Sequence, residues 1–353
     1  MFDQSKLNAA DALLEAQKIA FGPVVFQSAR LLRDWGIFQL LQDNKNGMSV
    51  EEISSALKLS TYSIEILCES GFSMGALNLI EEKYFITDIG YFLLFDEMTR
   101  VNMDFNHDVN YEGLFYLDKS LKEAKPVGLH NTFSKEETIY PILSQLPPKV
   151  KDSWFGFDHF YSDAAFKRLV EIMAKKKIKK LLEPGGNTGK WALNITKASP
   201  MTSVTILDHQ GQIDVAIKNA KDNGVGDRVD GVAIDLLNHS IAFPKGYDGV
   251  WMSQFLDCFP PSDIINLLKR SREALNDDGK VFIVEPFWDR QSHDIGSYCL
   301  INTSPYFTAL ANGTSKMYRA IEFEKFVSEA GLKVVEEVNG LGFGHTLMIC
   351  KKV

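Results

Sequence analysis

Strand-like and helical segments alternate along the second half of the chain, and this alternation restricts the possible folds more than any other feature. Five apolar runs of strand length follow Lys177, and segments with helical spacing separate most of them. The runs are IKKLLEP, SVTILDH, RVDGVAIDLL, YDGVWMSQFL and GKVFIVEPF. This order predicts a doubly wound, mostly parallel α/β sheet. Two final runs, joined by a glycine-rich turn, predict an antiparallel hairpin strand at the end of the chain.

The first hundred residues have a different pattern, in which helical segments precede a hairpin. From Ala9 to Leu41 the apolar residues recur at helical spacing, which predicts a long helix. The segment MSVEEISSALKLS predicts a second helix with Ser49 as its N-cap, and TYSIEILCESGFSMGAL predicts a third. The segment LNLIEEKYFIT reads as two strands joined at Glu81 and Glu82, and TDIGYFLL as a further helix. Together they are typical of a mainly α winged-helix domain.

Charge decides which functions suit this winged-helix pattern. The third helix, which would enter a DNA groove, carries Glu65 and Glu69 and no Lys or Arg. Residues 1–100 hold 8 basic and 14 acidic side chains, and the formal charge of the chain is -8. We therefore expect no nucleic-acid partner, no membrane partner and a small-molecule ligand. A winged helix without a basic face favours packing between subunits, so we expect a homodimer; packing on its own chain is the alternative.

The length of 353 residues exceeds one ordinary domain. We expect a winged-helix-like dimerisation domain at residues 1–105, a helical junction that contributes to a substrate pocket at residues 106–165, and the α/β domain at residues 166–353. The four cysteines are far apart and have no metal-ligand spacing, so we expect reduced thiols and no metal site. The sequence has neither a secretory signal pattern nor an apolar run of membrane-spanning length, so we expect a cytoplasmic protein.

Acidic residues and glycines collect at the predicted strand ends, where ligands of such sheets bind. The first strand ends in LLEPGGNTGKW, whose glycines allow a tight turn and close approach to a ligand. Asp208 closes the second strand and Asp235 the third. A nicotinamide cofactor and S-adenosylmethionine both suit an acid like Asp208. Glu183 would repel a pyrophosphate but suits an ammonium group, and Asn187 replaces the middle glycine of GxGxxG. Both points disfavour an NAD-linked oxidoreductase.

These segments, together with MSQFLDCFPP, KVFIVEP and the closing hairpin, resemble the Rossmann-like class I S-adenosylmethionine-dependent methyltransferases. More narrowly, the chain resembles small-molecule O-methyltransferases that carry an N-terminal winged-helix dimerisation domain. The resemblance implies methyl transfer from S-adenosyl-L-methionine to a hydroxyl or carboxyl group of an aromatic or polyketide-like molecule. The implied cofactor-binding residues are Glu183, Gly185, Gly186, Gly189, Asp208, His209, Asp235, Leu236, Ser253 and Gln254.

The chain departs from the family pattern at the catalytic base. The family has a histidine at the end of the fourth strand, flanked by two glutamates; alignment on Pro260 places Asp257 at the histidine position. Glu285 falls on one glutamate position and Met317 on the other. An ordinary aspartate, with a pKa near 3.9, lies about 8 kcal/mol from deprotonating a phenol near 10. Asp257 is therefore a base whose pKa is raised by burial, a group that binds or orients the acceptor, or a helix cap.

The acceptor pocket is expected to draw on the junction and on the insertion that follows the fifth strand. Either His159 or His293 would be a substitute base if it approached the site. The candidate substrate residues are Trp154, His159, Tyr161, His293, Tyr298, Asn302, Tyr306, Phe307 and Met317. The missing histidine also motivates a rival function, a winged-helix regulator or binding protein with a vestigial S-adenosylmethionine pocket.

Overall fold

The computed structural model describes residues 7–353. The chain divides into two compact units, residues 1–108 and residues 109–353, and each has its own buried core. The three-part division expected from the sequence stays a prediction. One long helix, Pro148–Lys175, runs across the boundary expected at residue 165.

The first unit consists of helices and a short hairpin. Its helices are α1 (Ala9–Ala20), α2 (Gly22–Asp34), α3 (Ile37–Asp43), α4 (Val50–Leu57), α5 (Thr61–Ser73), α6 (Asp88–Phe95) and α7 (Glu97–Phe105), and its strands are β1 (Leu77–Ile80) and β2 (Lys83–Ile86). The single long helix expected from Ala9 to Leu41 is wrong, because the chain forms three helices there. Pro23 lies in the first turn of α2, where its missing N–H is tolerated. Gly36, with a φ of 81°, directly precedes α3.

The later elements of this unit confirm the sequence prediction. Helix α4 begins with a capping box, in which the Ser49 hydroxyl accepts the Glu52 N–H and the Glu52 carboxylate accepts the Ser49 N–H. The two antiparallel strands are joined by Glu81 and Glu82, with φ values of 49° and 58°. Positive φ at both central residues is what a two-residue hairpin turn requires.

The second unit contains the large sheet. Its helices are α8 (Leu117–Glu123), α9 (Val127–Thr132), α10 (Pro148–Lys175), α11 (Lys190–Ala198), α12 (Gln210–Asp222), α13 (Pro261–Ala274), α14 (Asp294–Tyr306) and α15 (Ala320–Glu329), and its strands are β3 (Lys180–Pro184), β4 (Ser203–Asp208), β5 (Val229–Ala233), β6 (Tyr247–Ser253), β7 (Leu275–Glu285), β8 (Leu332–Leu341) and β9 (His345–Lys352). Short 3-10 helices at Tyr140–Gln145 and Leu256–Cys258 also matter for the site.

The strand order of this sheet is β5-β4-β3-β6-β7-β9-β8. The first five strands of the order are parallel, and the closing hairpin adds the antiparallel strand β9, as the sequence predicted, with β8 paired antiparallel to β9 at the edge. Strand β3 leads to β4 on one side, and β6 lies on its other side, so the strand order reverses there. The ends of β3, β4 and β6 therefore border the crevice in which such sheets bind ligands.

Apolar side chains cover both faces of the sheet. Neighbouring residues of β6, Val250 and Trp251, enter different core clusters, as alternation along a strand requires. The Trp251 indole stacks on that of Trp191 from α11, with ring centroids 3.8 Å apart. Within residues 7–353, no helix combines the length and the apolar character needed to cross a bilayer.

Candidate active site

Glu183 lies at the end of β3, beside the glycine turn. Its side chain is 5% exposed, and its Oε2 has no hydrogen-bond partner among residues 7–353. Burial raises the pKa of Glu183 well above its usual range, and the nearby Asp208 adds to this rise. Because buried polar atoms are normally paired, this oxygen suits a cationic ligand group such as an ammonium.

The turn after β3 forms a cradle of exposed backbone next to this carboxyl group. Gly185 and Gly189 have φ values of 72° and 75°, in the left-handed region that favours glycine. Asn187, between them, adopts a φ of 48°. A side chain at Gly185 would collide with the ring of Phe255, and one at Gly186 would meet Glu183. The turn therefore depends on the absence of side chains at these positions.

Asp208, at the end of β4, holds this turn in place. Its carboxylate accepts the backbone N–H of Asn187 at 2.9 Å and that of His209 at 2.8 Å. His209 itself is exposed and precedes α12. A carboxylate has about four acceptor positions, so Asp208 keeps capacity for the hydroxyl groups of a ribose.

Asp235 and Leu236 follow β5 at the same edge of the sheet. Asp235 Oδ1 accepts the N–H of Leu237 at 3.0 Å, which closes a tight turn. The Leu236 side chain is buried, and its carbonyl oxygen accepts a hydrogen bond from the Arg270 guanidinium of α13. The turn therefore exposes the Asp235 carboxylate next to an apolar side chain, which suits the edge of an adenine ring.

Ser253 and Gln254 end β6, directly before Asp257. The Ser253 Oγ is buried and has no hydrogen-bond partner among the described residues. Gln254 adopts a φ of 48°, and its N–H donates to the carbonyl of Val284 at 2.9 Å. The chain turns sharply here, and the turn leads into the short helix Leu256–Cys258 that carries Asp257.

Asp257 is 8% exposed. Its Oδ1 is 3.6 Å from the Cys258 Sγ, which donates a weak hydrogen bond. Burial raises the pKa of Asp257 to about 6, and Asp158 adds to the rise. This carboxyl group therefore has a pKa close to that of an ordinary histidine.

Glu285, at the end of β7, supports the Asp257 turn. Its Oε1 accepts the N–H groups of Phe255 at 3.1 Å and Leu256 at 2.8 Å. Its side chain is 1% exposed, and its Oε2 has no hydrogen-bond partner in the part of the chain described. Burial raises the pKa of Glu285 well above its usual range, and Asp257 raises it further. The two acids are therefore close enough that ionising one disfavours ionising the other.

Aromatic and polar side chains from other elements face Asp257. The Trp154 Nε1 of α10 donates to the Tyr306 hydroxyl of α14 at 2.8 Å. Burial raises the pKa of Tyr306, and Asp158 and Asp257 add to it. Burial raises the pKa of the Tyr140 hydroxyl too, and Cys258 adds to that rise. These residues bring α10, α14 and the Tyr140–Gln145 helix together at the end of β6.

The structure does not bring all the predicted substrate residues to this place. Trp154 and Tyr306 are joined there, Phe307 and Met317 are buried, and Tyr161 is half-buried. The side chains of His159, His293, Tyr298 and Asn302 are exposed instead. Helix α14 turns Ser297 and Leu300 inward, which leaves Tyr298 and Asn302 on its outer side. The single face expected from Tyr298 to Phe307 is therefore not present, and the role of either histidine as a substitute base stays a prediction.

Sequence reasoning did not single out Tyr140, Asp158 or Asn312. Asp158 follows Trp154 by four residues on α10, so both lie on one face of that helix. Asn312 donates through Nδ2 to the carbonyl of Cys258 at 2.6 Å and so holds the Asp257 segment. The four-residue spacing from Trp154 was the one available indication for Asp158.

The fold and the edge of the sheet define the class of protein. The sheet is mostly parallel with an antiparallel closing hairpin, an acid precedes the glycine turn, and further acids follow the next two strands. This combination defines a class I S-adenosylmethionine-dependent methyltransferase. The orphaned Glu183 oxygen and the backbone cradle beside it fit the methionine end of this methyl donor.

Comparisons with known proteins agree with this class. A model of the Dimerisation2-like domain matches residues 14–84, and a model of the O-methyltransferase domain matches residues 161–333. L-tyrosine C(3)-methyltransferase of Streptomyces lavendulae is 26% identical over 318 residues, which cover 89% of this chain and 85% of that relative.

Solved structures share the fold. The S-adenosylmethionine-dependent methyltransferase SibL, in its apo form, is 23% identical with a TM-score of 0.71, over 95% of this chain and 98% of that one. The O-methyltransferase NcsB1 from neocarzinostatin biosynthesis was solved with S-adenosylmethionine and 2-hydroxy-5-methyl naphthoic acid. It is 17% identical with a TM-score of 0.65, over 93% of this chain and 96% of that one. The chain belongs to the S-adenosylmethionine-dependent O-methyltransferase family that carries an N-terminal dimerisation domain, and S-adenosylmethionine is its methyl donor.

Proposed function

We propose that this methyltransferase acts on the phenolic hydroxyl of a small aromatic molecule and that Asp257 is its general base. The observation that best supports this proposal is the burial of Asp257 next to Glu285 at the end of β6. S-adenosylmethionine supplies an electrophilic methyl group, so the chain has to align the acceptor and remove its proton. Trp154, Tyr306 and Tyr140 provide the aromatic surroundings for the acceptor.

The raised pKa makes this base adequate. A phenol near pKa 10 lies about 4 units above a carboxyl group at about 6, which corresponds to ~5 kcal/mol against proton transfer, compared with ~8 kcal/mol for an ordinary aspartate. An unperturbed histidine would face a similar ~5 kcal/mol. Burial therefore compensates for the loss of the family histidine.

Glu285, at the end of β7, supports Asp257. By accepting two backbone N–H groups it fixes the Asp257 turn, and the charge of Asp257 keeps the pKa of Glu285 itself high. We assign Glu285 a positioning role and Asp257 the contact with the acceptor proton.

A ring carbon is the second candidate for the methylated atom. A phenolate is nucleophilic at oxygen and at the carbon atoms next to the hydroxyl-bearing carbon, so the same deprotonation serves both outcomes. The relative from Streptomyces lavendulae carries the name of a C(3)-methyltransferase for L-tyrosine, which favours this second possibility.

Product analysis tests the proposal and separates the two atoms. The purified enzyme is incubated with S-adenosylmethionine carrying a 13C-methyl group and a panel of simple phenols. A new methyl carbon near the shift of an aryl ether supports oxygen transfer, and one in the aryl-methyl region supports carbon transfer. Absence of both signals, with S-adenosylhomocysteine binding intact, overturns the phenolic acceptor.

We assign the cofactor contacts by position. Glu183 and the turn from Gly185 through Gly186 to Gly189 bind the methionine end. Asp208 binds the ribose hydroxyls with His209 beside it, Asp235 and Leu236 border the adenine, and Ser253 and Gln254 lie near the sulfonium. The orphaned Oε2 of Glu183 and the orphaned Oγ of Ser253 support this assignment.

We also propose a homodimer formed through the first unit, which is assigned as a winged helix of the packing type. Helix α1 buries none of its side chains within the chain, and a Dimerisation2-like model matches this region. The regulator with a vestigial pocket is not favoured, since the catalytic unit matches an enzyme family. The cytoplasmic location stays a prediction.

A further inference from the structure

Carboxyl groups are concentrated around Asp257 without an ion-pair partner among the described residues. Asp257, Glu285 and Asp158 belong to different elements, yet Asp257 raises the pKa of Glu285 and Asp158 raises that of Asp257. Among residues 7–353, no lysine, arginine or histidine forms an ion pair with any of the three. His159, the next residue of α10, lowers the pKa of Asp158 most among the cations, and Lys190, whose ammonium group is paired with Asp163, lowers it less.

The position of Asp158 follows from the geometry of α10. It lies one turn beyond Trp154, whose indole N–H donates to the Tyr306 hydroxyl at 2.8 Å. Asp158 raises the pKa of Tyr306, as Asp257 does, so both carboxyl groups lie within electrostatic range of the Tyr306 hydroxyl. Burial is the largest cause of the raised pKa of Asp158 itself.

Aromatic rings also lie around this acidic cluster. Tyr140, Trp154 and Tyr306 bring aromatic rings to it, and aromatic faces attract cations. The buried Oε2 of Glu285 has no hydrogen-bond partner among the described residues, so one oxygen atom of this acidic cluster is unpaired. Two buried acids and the half-buried Asp158, which disfavour one another's ionisation, lie next to aromatic rings and an orphaned oxygen. A protonated amine would stabilise such surroundings.

We propose that the acceptor carries a protonated amine and that Asp158 binds it. Asp257 then remains available for the phenolic proton, so the two acids recognise opposite ends of one molecule. The aromatic rings cover the apolar part in between. The substrate class is therefore a phenol with an alkylammonium group, either an arylalkylamine or an aromatic amino acid. This inference rests on the phenolic acceptor proposed above.

A matched pair of ligands tests the amine. Tyramine and 4-ethylphenol share the phenol and the two-carbon chain, and only tyramine carries the ammonium. Calorimetry on the enzyme saturated with S-adenosylhomocysteine should give at least tenfold tighter binding of tyramine. Tyramine binding no tighter than 4-ethylphenol, including the case in which neither binds, overturns the proposal.

Two variants of α10 test whether Asp158 binds the ammonium group. Asp158→Asn should reduce tyramine affinity to that of 4-ethylphenol and raise the KM for tyramine at least tenfold relative to the KM for 4-ethylphenol. Asp152→Asn makes the same change at an exposed position of α10 and should keep the preference. An intact preference in Asp158→Asn overturns the assignment. If that variant does not fold, Asp158→Glu should retain part of the preference, and the wild-type comparison still decides the amine.

The sulfonium of the methyl donor is the alternative cation that these acids would stabilise. If Asp158→Asn weakened S-adenosylmethionine while S-adenosylhomocysteine bound as before, the charge would belong to the sulfonium and the amine proposal would fail. Methylation of 4-ethylphenol at least as efficient as that of tyramine would refute the amine and leave the phenolic acceptor standing. Methylation of no phenol would refute the phenolic acceptor.

Discussion

The base proposed here, Asp257, is active only in its ionised form, so its raised pKa predicts where activity depends on pH. Because the carboxylate is the active form, kcat/KM should rise as pH increases through about 6 and level off above it. Asp257→Asn should lower kcat by roughly 10²- to 10⁴-fold and remove this rise. S-adenosylhomocysteine affinity should stay unchanged.

The control for this prediction is Asp278→Asn, which changes an exposed aspartate in the same unit. It should retain both the rate and the pH profile. An Asp257→Asn enzyme with full turnover would remove this residue from the mechanism.

Glu183 is the residue on which the cofactor assignment depends most. Glu183→Gln keeps the size of the side chain and removes the charge that pairs with an ammonium. We expect S-adenosylhomocysteine to bind 10- to 100-fold more weakly by calorimetry, since one charge-assisted hydrogen bond is worth about 1.5–3 kcal/mol. Glu273→Gln, at an exposed position of α13, should bind normally. Equal affinity in the two variants would contradict the assignment.

Residues of this site differ in how far the sequence could predict them. Glu183, Asp208 and Asp235 follow strands, and the ends of parallel strands meet at one edge, so a strand pattern alone brings them together. Tyr140 and Asp158 come from a 3-10 helix and from α10, and their direction depends on how those elements pack. The pKa of Asp257 depends on burial by the same elements, so the sequence left its role open.

At the scale of elements, the closing hairpin is tied to α10 by a glycine. Gly340 and Gly342 have φ values of 70° and 56°, which penalise alanine at both positions. A Cβ at Gly342 would lie 2.6 Å from the backbone N of Ala165, whereas one at Gly340 meets nothing within 4 Å. Gly342→Ala should therefore lower the free energy of unfolding by at least about 1 kcal/mol more than Gly340→Ala. Urea denaturation measures the difference, and equal losses would show that the contact with α10 is unimportant.

His345, at the start of β9, should make the stability of the folded chain depend on pH. Burial lowers the pKa of His345 to about 4, compared with about 6.5 in the unfolded chain. Between these values the unfolded state binds a proton that the folded state does not, so its contribution is lost as pH falls from about 6.5 towards 4. Relative to His345→Asn, the wild type should lose about 2 kcal/mol more between pH 7.5 and pH 5.

Urea denaturation at the two pH values measures this loss. His293→Asn, which changes an exposed histidine, should behave as the wild type does. An identical pH dependence in His345→Asn and wild type would show that the buried ring is not the cause.

Elements were predictable wherever their ends are specified locally. The capping box at Ser49, the glutamate turn of the hairpin and the alternating strands define their own limits, and the structure confirms them. The segment from Ala9 to Leu41 failed because helical spacing continues through Pro23 and Gly36. A proline in a first turn and a left-handed glycine break the helix without breaking the apolar pattern.

At the scale of the whole molecule, the first helix needs a partner. In α1, Leu13 is 62% exposed and Ile19 is 80% exposed, and no side chain of the helix is buried. Exposed apolar side chains of this size are costly in water, and a second copy of the chain would cover them. A Dimerisation2-like model that includes most of α1 supports this occupant. We therefore expect the active protein to be a dimer.

Charge placed at these two positions of α1 should separate the dimer. The double variant Leu13→Glu and Ile19→Glu should sediment as a monomer at micromolar concentration, because two carboxylates from each copy would be buried in the interface. Leu121→Glu, at a 64% exposed position of α8, introduces the same charge outside the first unit and should leave the mass of the dimer unchanged. A double variant that remains dimeric, or a wild type that sediments as a monomer, would show that α1 does not form the interface.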